Sequence, residues 1–207
     1  MPPPGNFLAF LAAVTVLMLT PGPAVVFVVT RSIDQGRLAG LASVAGICLG
    51  DLVHVVAVVV GLTGLFAASP VAFNVVKYLG AAYLIYLGIR RLLQPAEMPD
   101  AKPEKATIVQ LLRQGVMVSI LNPKDALFFL ALLPQFVVPE RGAIALQLFL
   151  LGMTFVVMAA LIDGAYAFGG AGLGRLLKTS AAARNAQRWV VGAIYIALGA
   201  FAATASI

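Results

Sequence analysis

The sequence has few of the side chains that carry catalysis or bind metal ions. Its 207 residues include one cysteine, Cys48, and one histidine, His54. A single thiol cannot form the intramolecular dithiol pair of a membrane electron carrier, and a single histidine cannot build a multi-histidine metal site. The sequence also lacks a phosphate-binding loop and a recognisable Ser/His/Asp arrangement. We therefore expect no enzyme activity, no metal and no cofactor, and no nucleotide to supply energy.

Charged residues are also scarce. They make up 11% of the chain and hydrophobic residues 61%. A soluble domain has about 25% charged residues. Because a membrane-spanning helix needs roughly 20 apolar residues, we expect an all-α membrane protein with six transmembrane helices and no soluble domain. The predicted transmembrane segments lie approximately at residues 6–31, 38–62, 70–90, 107–138, 144–172 and 188–206.

Basic residues lie mainly on one side of this predicted arrangement. Of the 14 lysines and arginines, 11 lie in or beside the loops that follow the first, third and fifth helices, whereas Lys77 and Arg141 lie on the opposite side. The positive-inside rule then places those loops in the cytoplasm and both termini outside. Since the cations flank a membrane and no soluble module presents them, we expect contact with the lipid bilayer and no nucleic-acid binding.

The two halves of the chain are weak copies of each other. At an offset of 102 residues Pro21 falls on Pro123, and after a ten-residue insertion an offset of 112 residues pairs Asp51 with Asp163. Helix-breaking prolines and acids are rare in apolar segments, so these matches indicate a duplication. The second offset also pairs His54 with Tyr166.

The repeat predicts the domain organisation. A repeat of three helices, an odd number, makes the second copy enter the membrane from the opposite side, so the two repeats are inverted. The helices with prolines, the first and the fourth, are then broken helices near the middle of the bilayer. We expect one transporter domain over residues 1–207, with the first repeat at 1–93, a cytoplasmic linker at 94–105 and the second repeat at 106–207.

The two breaks are the predicted substrate site. Their residues are Thr20, Pro21, Gly22 and Pro23 in the first repeat and Asn122, Pro123, Lys124 and Asp125 in the second. Thr20 and Asn122 are favourable N-cap residues and proline suits the first helical position, so each motif should end one half-helix and start another. The N–H groups of a restarting helix favour an anion and the carbonyls of an ending one favour a cation, which together match a zwitterionic amino acid. The alternative is a packing kink, which membrane helices tolerate.

Three residues inside the predicted helices are candidates for proton coupling: Asp51, His54 and Asp163. A charged Asp at a helix centre costs about 2.5 to 3.5 kcal/mol on insertion scales, so such residues usually line cavities or carry protons. The alternative is a structural role for the acids and a packing role for His54. Lys124 and Asp125 have the same ambiguity, because they could hold the two charges of a substrate or pair with each other or with Asp51.

Longer motifs resemble a known family. They are Thr-Pro-Gly-Pro at 20–23, the segment 46–61 around Gly50-Asp51, Lys-Tyr-Leu-Gly-Ala-Ala-Tyr-Leu-Ile-Tyr-Leu-Gly at 77–88, Leu-Asn-Pro-Lys at 121–124 followed by Phe128-Phe129, and Leu-Pro-Gln-Phe at 133–136. In this order and spacing, and over nearly the whole chain, they are similar to the LysE/RhtB family of amino acid exporters.

The resemblance implies a carrier in the bacterial inner membrane with both termini in the periplasm. It would export amino acids such as lysine, arginine, homoserine, threonine or leucine, or their analogues, by proton antiport, and it does not fix which of them. A homodimer is compatible with so small a carrier. Two alternative functions are a channel or lipid scramblase on the same inverted-repeat scaffold, and a purely structural role as a membrane subunit.

Overall fold

The chain is helical in almost every part that the computed structural model describes, which is residues 3–68, 70–93, 105–179 and 181–204. The all-α prediction is confirmed for these ranges, in which no strand occurs. In chain order the α-helices are α1 (Pro4–Leu19), α2 (Pro23–Gln35), α3 (Arg37–Ala68), α4 (Pro70–Leu93), α5 (Ile108–Ile120), α6 (Pro123–Leu127), α7 (Ile144–Thr179) and α8 (Ala181–Thr204). The predicted linker lies outside the described residues except for Lys105.

Two of these helices are long and apolar enough to cross a membrane, over Arg37–Gly64 in α3 and Ile144–Gly169 in α7. The α1 and α2 helices form a pair bent by 52°, and α5 forms a similar pair, bent by 45°, with the segment Pro123–Phe136. If each bent pair is one span, the described residues provide up to four spans. The predicted total of six also needs α4 and α8, whose apolar stretches, Ala81–Arg90 and Arg188–Phe201, are shorter.

The second bent segment changes its helical form along its length. After α6, Phe128–Leu132 form a π-helical turn and Leu133–Phe136 a 3₁₀ turn. Pro134 has no N–H group with which to continue an α-helix, and the N–H group of Leu133 just before it donates to the carbonyl of Phe128. A further 3₁₀ turn, Pro139–Arg141, leads towards α7.

Glycines bring the helices close together. A Cβ on Gly46 of α3 would collide with the main chain of Leu112 and Gly115 in α5, and a Cβ on Gly88 of α4 would lie 2.7 Å from the carbonyl oxygen of Gly192 in α8. The absence of a side chain at these positions therefore lets α3 pack along α5 and α4 along α8. In addition, α3 packs against α7, and α2 packs against both of these long helices.

Aromatic side chains fill the core beside the second bent segment. Phe128 of the π-helical turn stacks on Phe155 of α7 with ring centroids 4.8 Å apart, and Phe129 meets the same ring edge-on at 4.7 Å. Phe10 of α1 meets Phe136 edge-on at 5.3 Å. These buried rings join α1, the bent segment and α7 into one apolar layer.

Candidate functional site

The first break lies between α1 and α2, and Thr20 does not cap α2 as predicted. Its hydroxyl donates to the carbonyl of Val16 at 2.7 Å, one turn back in α1, and its N–H group donates to Leu17 O at 3.2 Å. Threonine makes this bond to the i−4 carbonyl readily, and Pro21 disfavours the helical region for Thr20, whose backbone is extended. Thr20 therefore ends α1, and the prediction that it starts the next helix is wrong.

The start of α2 is two residues later than predicted. Pro23 rather than Pro21 occupies the first helical position, and Gly22 is the N-cap residue. Because glycine has no side chain, α2 begins without a side-chain cap. The N–H groups of its first turn consequently lack the capping partner that a serine, threonine or asparagine would provide.

The second break agrees with the prediction. Asn122 is the N-cap of α6, and its side-chain oxygen accepts a hydrogen bond of 3.1 Å from the N–H group of Lys124. Pro123 takes the first helical position. The side-chain amide of Asn122 also donates to the carboxylate of Asp125 at 2.6 Å. Asn122 thus fixes the start of the helix and the position of a buried acid at the same time.

Lys124 reaches from the second break to the first. Its side chain is buried, and its Nζ lies 3.4 Å from Leu17 O and 3.5 Å from Thr20 O. These are carbonyls at the end of α1, where the helix dipole favours a cation. The hydrogen bonds of the ammonium thus go to the main chain of the other repeat, and its interactions with Asp51 and Asp125 are electrostatic.

Asp51 belongs to a small polar group that includes Ser119, a residue that the sequence pattern does not indicate. Ser119 of α5 donates from its hydroxyl to the Asp51 carboxylate at 2.6 Å, and the carbonyl oxygen of Ser119 lies 3.1 Å from Nε2 of His54. The imidazole also stacks on Phe129, with ring centroids 5.5 Å apart. Asp51 and His54 thus contact the same residue rather than each other. The only signal for Ser119 in the sequence is its place one turn before Asn122.

Tyr166 of α7 lies at the other break, and Asp163 lies one turn before it in the same helix. The hydroxyl of Tyr166 donates to the carbonyl of Leu19, the last residue of α1, at 3.1 Å. Tyr166 therefore contacts a main-chain carbonyl at the end of α1, as its repeat counterpart His54 contacts one near the end of α5. Asp163 is buried, and within the described part of the chain no side chain donates a hydrogen bond to it.

The structure brings the four charged candidates together. Asp51, Lys124, Asp125 and Asp163 are 1%, 2%, 3% and 3% exposed, and Asp51 interacts electrostatically with the other three. Buried charges are costly unless they are paired or bind a ligand. The arrangement provides a cation, acids and helix ends of both polarities, which are the groups needed to hold a small molecule with both an ammonium and a carboxylate.

The sequence model of the family described as LysE type translocator matches residues 15–206 of the chain. A homoserine/homoserine lactone efflux protein of Salmonella typhi is 36% identical over 160 residues, which is 77% of each chain. A leucine efflux protein of Klebsiella pneumoniae subsp. pneumoniae is 30% identical over 203 residues, covering 96% of this chain and 95% of the relative. A Vibrio cholerae protein named only as an uncharacterised membrane protein is 31% identical over 200 residues, covering 96% of this chain and 97% of the relative. No solved structure matches the chain. The family match and these relatives confirm the resemblance, and the chain belongs to the LysE family of translocators.

Proposed function

We propose that the protein is a secondary transporter that exports amino acids or their derivatives across the bacterial inner membrane in exchange for protons. The observation that carries this proposal is the contact between the two breaks, in which the buried ammonium of Lys124 lies on the carbonyl end of α1. A buried cation and three buried acids, of which Lys124 and Asp125 belong to a helix break, suit a carrier of zwitterions. The efflux proteins among the relatives support the same direction of transport.

In this proposal the substrate binds between Thr20, Pro21, Gly22 and Pro23 on one side and Asn122, Pro123, Lys124 and Asp125 on the other. The start of α2 is the suitable place for the carboxylate because its first N–H groups have no side-chain cap and Lys124 lies beside Gly22. The acids are suitable for the ammonium. All four charged side chains are at most 3% exposed, and in this proposal the arrangement is a state in which the substrate site is closed.

Export then requires the site to open first to the cytoplasm and later to the periplasm. We propose that six helices form two inverted repeats, 1–93 and 106–207, with both termini in the periplasm, and that the repeats exchange conformations to move the site. The order of elements supports this, because a broken pair, a long helix and a final helix occur in each half. A homodimer remains a prediction.

Proton exchange is assigned to Asp51, with His54 and Asp163 as further candidates. Asp51 is buried, yet its carboxylate has a hydroxyl donor in Ser119, and His54 contacts the carbonyl of that same residue. When α3 and α5 separate, both contacts break and the carboxylate becomes accessible. A conformational change would in this way alter the environment of the acid, which is the requirement for coupling.

The test is uptake of a panel of radiolabelled amino acids into liposomes that carry the purified protein, with and without an imposed pH gradient. We expect saturable transport of a subset of amino acids, accelerated by the gradient. Flux that neither saturates nor depends on a gradient would instead identify a channel or scramblase. No movement of any amino acid under either condition would overturn the proposal and favour a structural subunit.

A further inference from the structure

Two polar contacts join the end of α2 to the start of α5. Arg31 donates from its guanidinium to Oε1 of Gln114 at 2.9 Å, and Oε1 of Gln35 accepts a hydrogen bond of 2.8 Å from the main-chain N–H group of Ala106. Arg31 is 8% exposed, whereas the side chain of Gln114 is exposed. Since α2 belongs to the first repeat and α5 to the second, these contacts tie the two halves together at this end.

The contact between Arg31 and Gln114 lies well away from the breaks. Arg31 is eight residues after Pro23, which starts α2, and Gln114 is eight residues before Asn122. At 1.5 Å per residue, each is roughly 12 Å along its half-helix from the break. The proposed topology puts this end of the protein at the cytoplasm. A closure here therefore separates the cytoplasm from the proposed substrate site.

The apolar contacts beside this polar pair are small. The guanidinium carbon of Arg31 lies 5.6 Å from the ring centroid of Phe27, one turn earlier in α2. Phe27 packs against a small buried cluster, which consists of Ala39, Ala42 and Leu111. A guanidinium and an amide that separate in water are hydrated again, so opening at this end exposes mainly groups that water solvates.

Aromatic side chains close the opposite end. Phe10 of α1 meets Phe136 edge-on with ring centroids 5.3 Å apart, and its centroid lies 6.0 Å from that of Phe128. All three rings are at most 2% exposed. An aqueous path at this end would expose buried apolar surface, which is unfavourable in proportion to its area. Opening is therefore less costly at the polar end than at the aromatic end.

We propose that Arg31 and Gln114 form the gate between the substrate site and the cytoplasm, and that this gate opens before the aromatic contacts at the other end. The inference rests on the proposed function, which assigns each end to its side of the membrane, and adds the residues that control entry. Loss of the hydrogen bond should shift the closed arrangement towards one that is open to the cytoplasm alone. An exporter needs this order because its substrate enters from the cytoplasm.

Cys48 is a built-in reporter of this gate. It is the only cysteine in the sequence, and it lies half-buried in α3, three residues before Asp51. It packs against a buried cluster that includes Val28 of α2 and Ala167 of α7. Because α3 begins at Arg37, on the proposed cytoplasmic side, Cys48 lies between that side and Asp51. An uncharged, membrane-impermeant maleimide should therefore reach the thiol through the open gate.

The test is the rate at which this maleimide labels Cys48 in inside-out and right-side-out membrane vesicles. Gln114→Leu removes the acceptor for Arg31. Labelling from the cytoplasmic face should then become about tenfold faster, which corresponds to about 1.4 kcal/mol. Gln114→Glu keeps an acceptor at the same position and is the matched control, with a rate at or below that of the wild type. Cys48→Ser should abolish labelling.

Three results would overturn the inference. They are an unchanged rate for Gln114→Leu at the cytoplasmic face, an equal acceleration in Gln114→Glu, and an equal acceleration at both faces of the membrane. The side chain of Gln114 is exposed, so both substitutions leave the buried core intact. Labelling requires no transported substrate, and its result is therefore separate from the amino acid uptake that tests the proposed function.

Discussion

Substitution of Gly50 by alanine should loosen the contact between α3 and α5 that holds Asp51. A Cβ on Gly50 would lie 2.6 Å from the Cβ of Ser119, 2.8 Å from its Oγ and 2.8 Å from the carbonyl oxygen of Val116. Because a main-chain atom is among these neighbours, the two helices must move apart. Overpacking of this kind costs typically about 1 to 3 kcal/mol. The shift would also strain the hydrogen bond from Ser119 to Asp51.

The control is Gly61→Ala in the same helix. A Cβ on Gly61 would meet nothing within 4 Å, so this variant gains the helix propensity of alanine, roughly 1 kcal/mol, without a collision. Both variants have this gain. The difference between their free energies of unfolding therefore measures the cost of the collision at Gly50. A difference of about 1 to 3 kcal/mol corresponds to about 2 to 12 °C in Tm for a chain of this size.

The assay is thermal unfolding of the purified proteins in detergent, followed by transport in liposomes. We expect Gly50→Ala to unfold at the lower temperature and to transport more slowly than Gly61→Ala. Equal unfolding temperatures would refute the close approach of α3 and α5 at Gly50. The same result would also contradict the contact between Ser119 and Asp51.

Three further variants test other contacts of the two breaks and of Asp51. Asn122→Ala removes a helix cap, worth about 0.5 to 2 kcal/mol, and the donor to a buried acid, worth about 1.5 to 3 kcal/mol. Its control is Thr107→Ala, which removes only the exposed capping box of α5. Thermal unfolding should show a larger loss of stability for Asn122→Ala than for this control. Tyr166→Phe removes one hydroxyl from the end of α1, so the free energy of unfolding should fall by about 0.5 to 1.5 kcal/mol, and no change in denaturation would argue against that contact. The Asp51→Asn protein should still transport amino acid, but a pH gradient should no longer accelerate the transport. Asp34→Asn changes an exposed acid and serves as the control, in which the acceleration should remain. Unchanged gradient dependence of Asp51→Asn would remove Asp51 from the mechanism.

Local chemistry explains which parts of the breaks were predictable. Proline positions and low charge were sufficient to indicate bent helices, and Asn122 caps α6 as expected because its short amide reaches the N–H group two residues later. The same rule failed for Thr20. A threonine hydroxyl has a competing acceptor in the carbonyl one turn back, and Thr20 uses it. Capping preference alone could not decide between these two partners.

Sequence patterns could not predict the contacts between the two repeats. The bond from Lys124 to Thr20 O joins residues 104 positions apart, and its direction depends on how the halves pack. Ser119 was missed for the same reason, since a lone serine in an apolar helix has no distinguishing pattern until Asp51 is placed against it. By contrast, the pairing of His54 with Tyr166 came from the repeat alone, and both side chains contact main-chain carbonyls near the end of a half-helix in the other half.

The proposed mechanism exchanges an amino acid for protons through this chain. The most direct measurement is the internal pH of weakly buffered liposomes that contain the wild-type protein and a pH-sensitive dye. When a transported amino acid is added outside and enters, protons should leave and the internal pH should rise, saturably with amino acid concentration. Entry of labelled amino acid without any change of internal pH would contradict proton exchange.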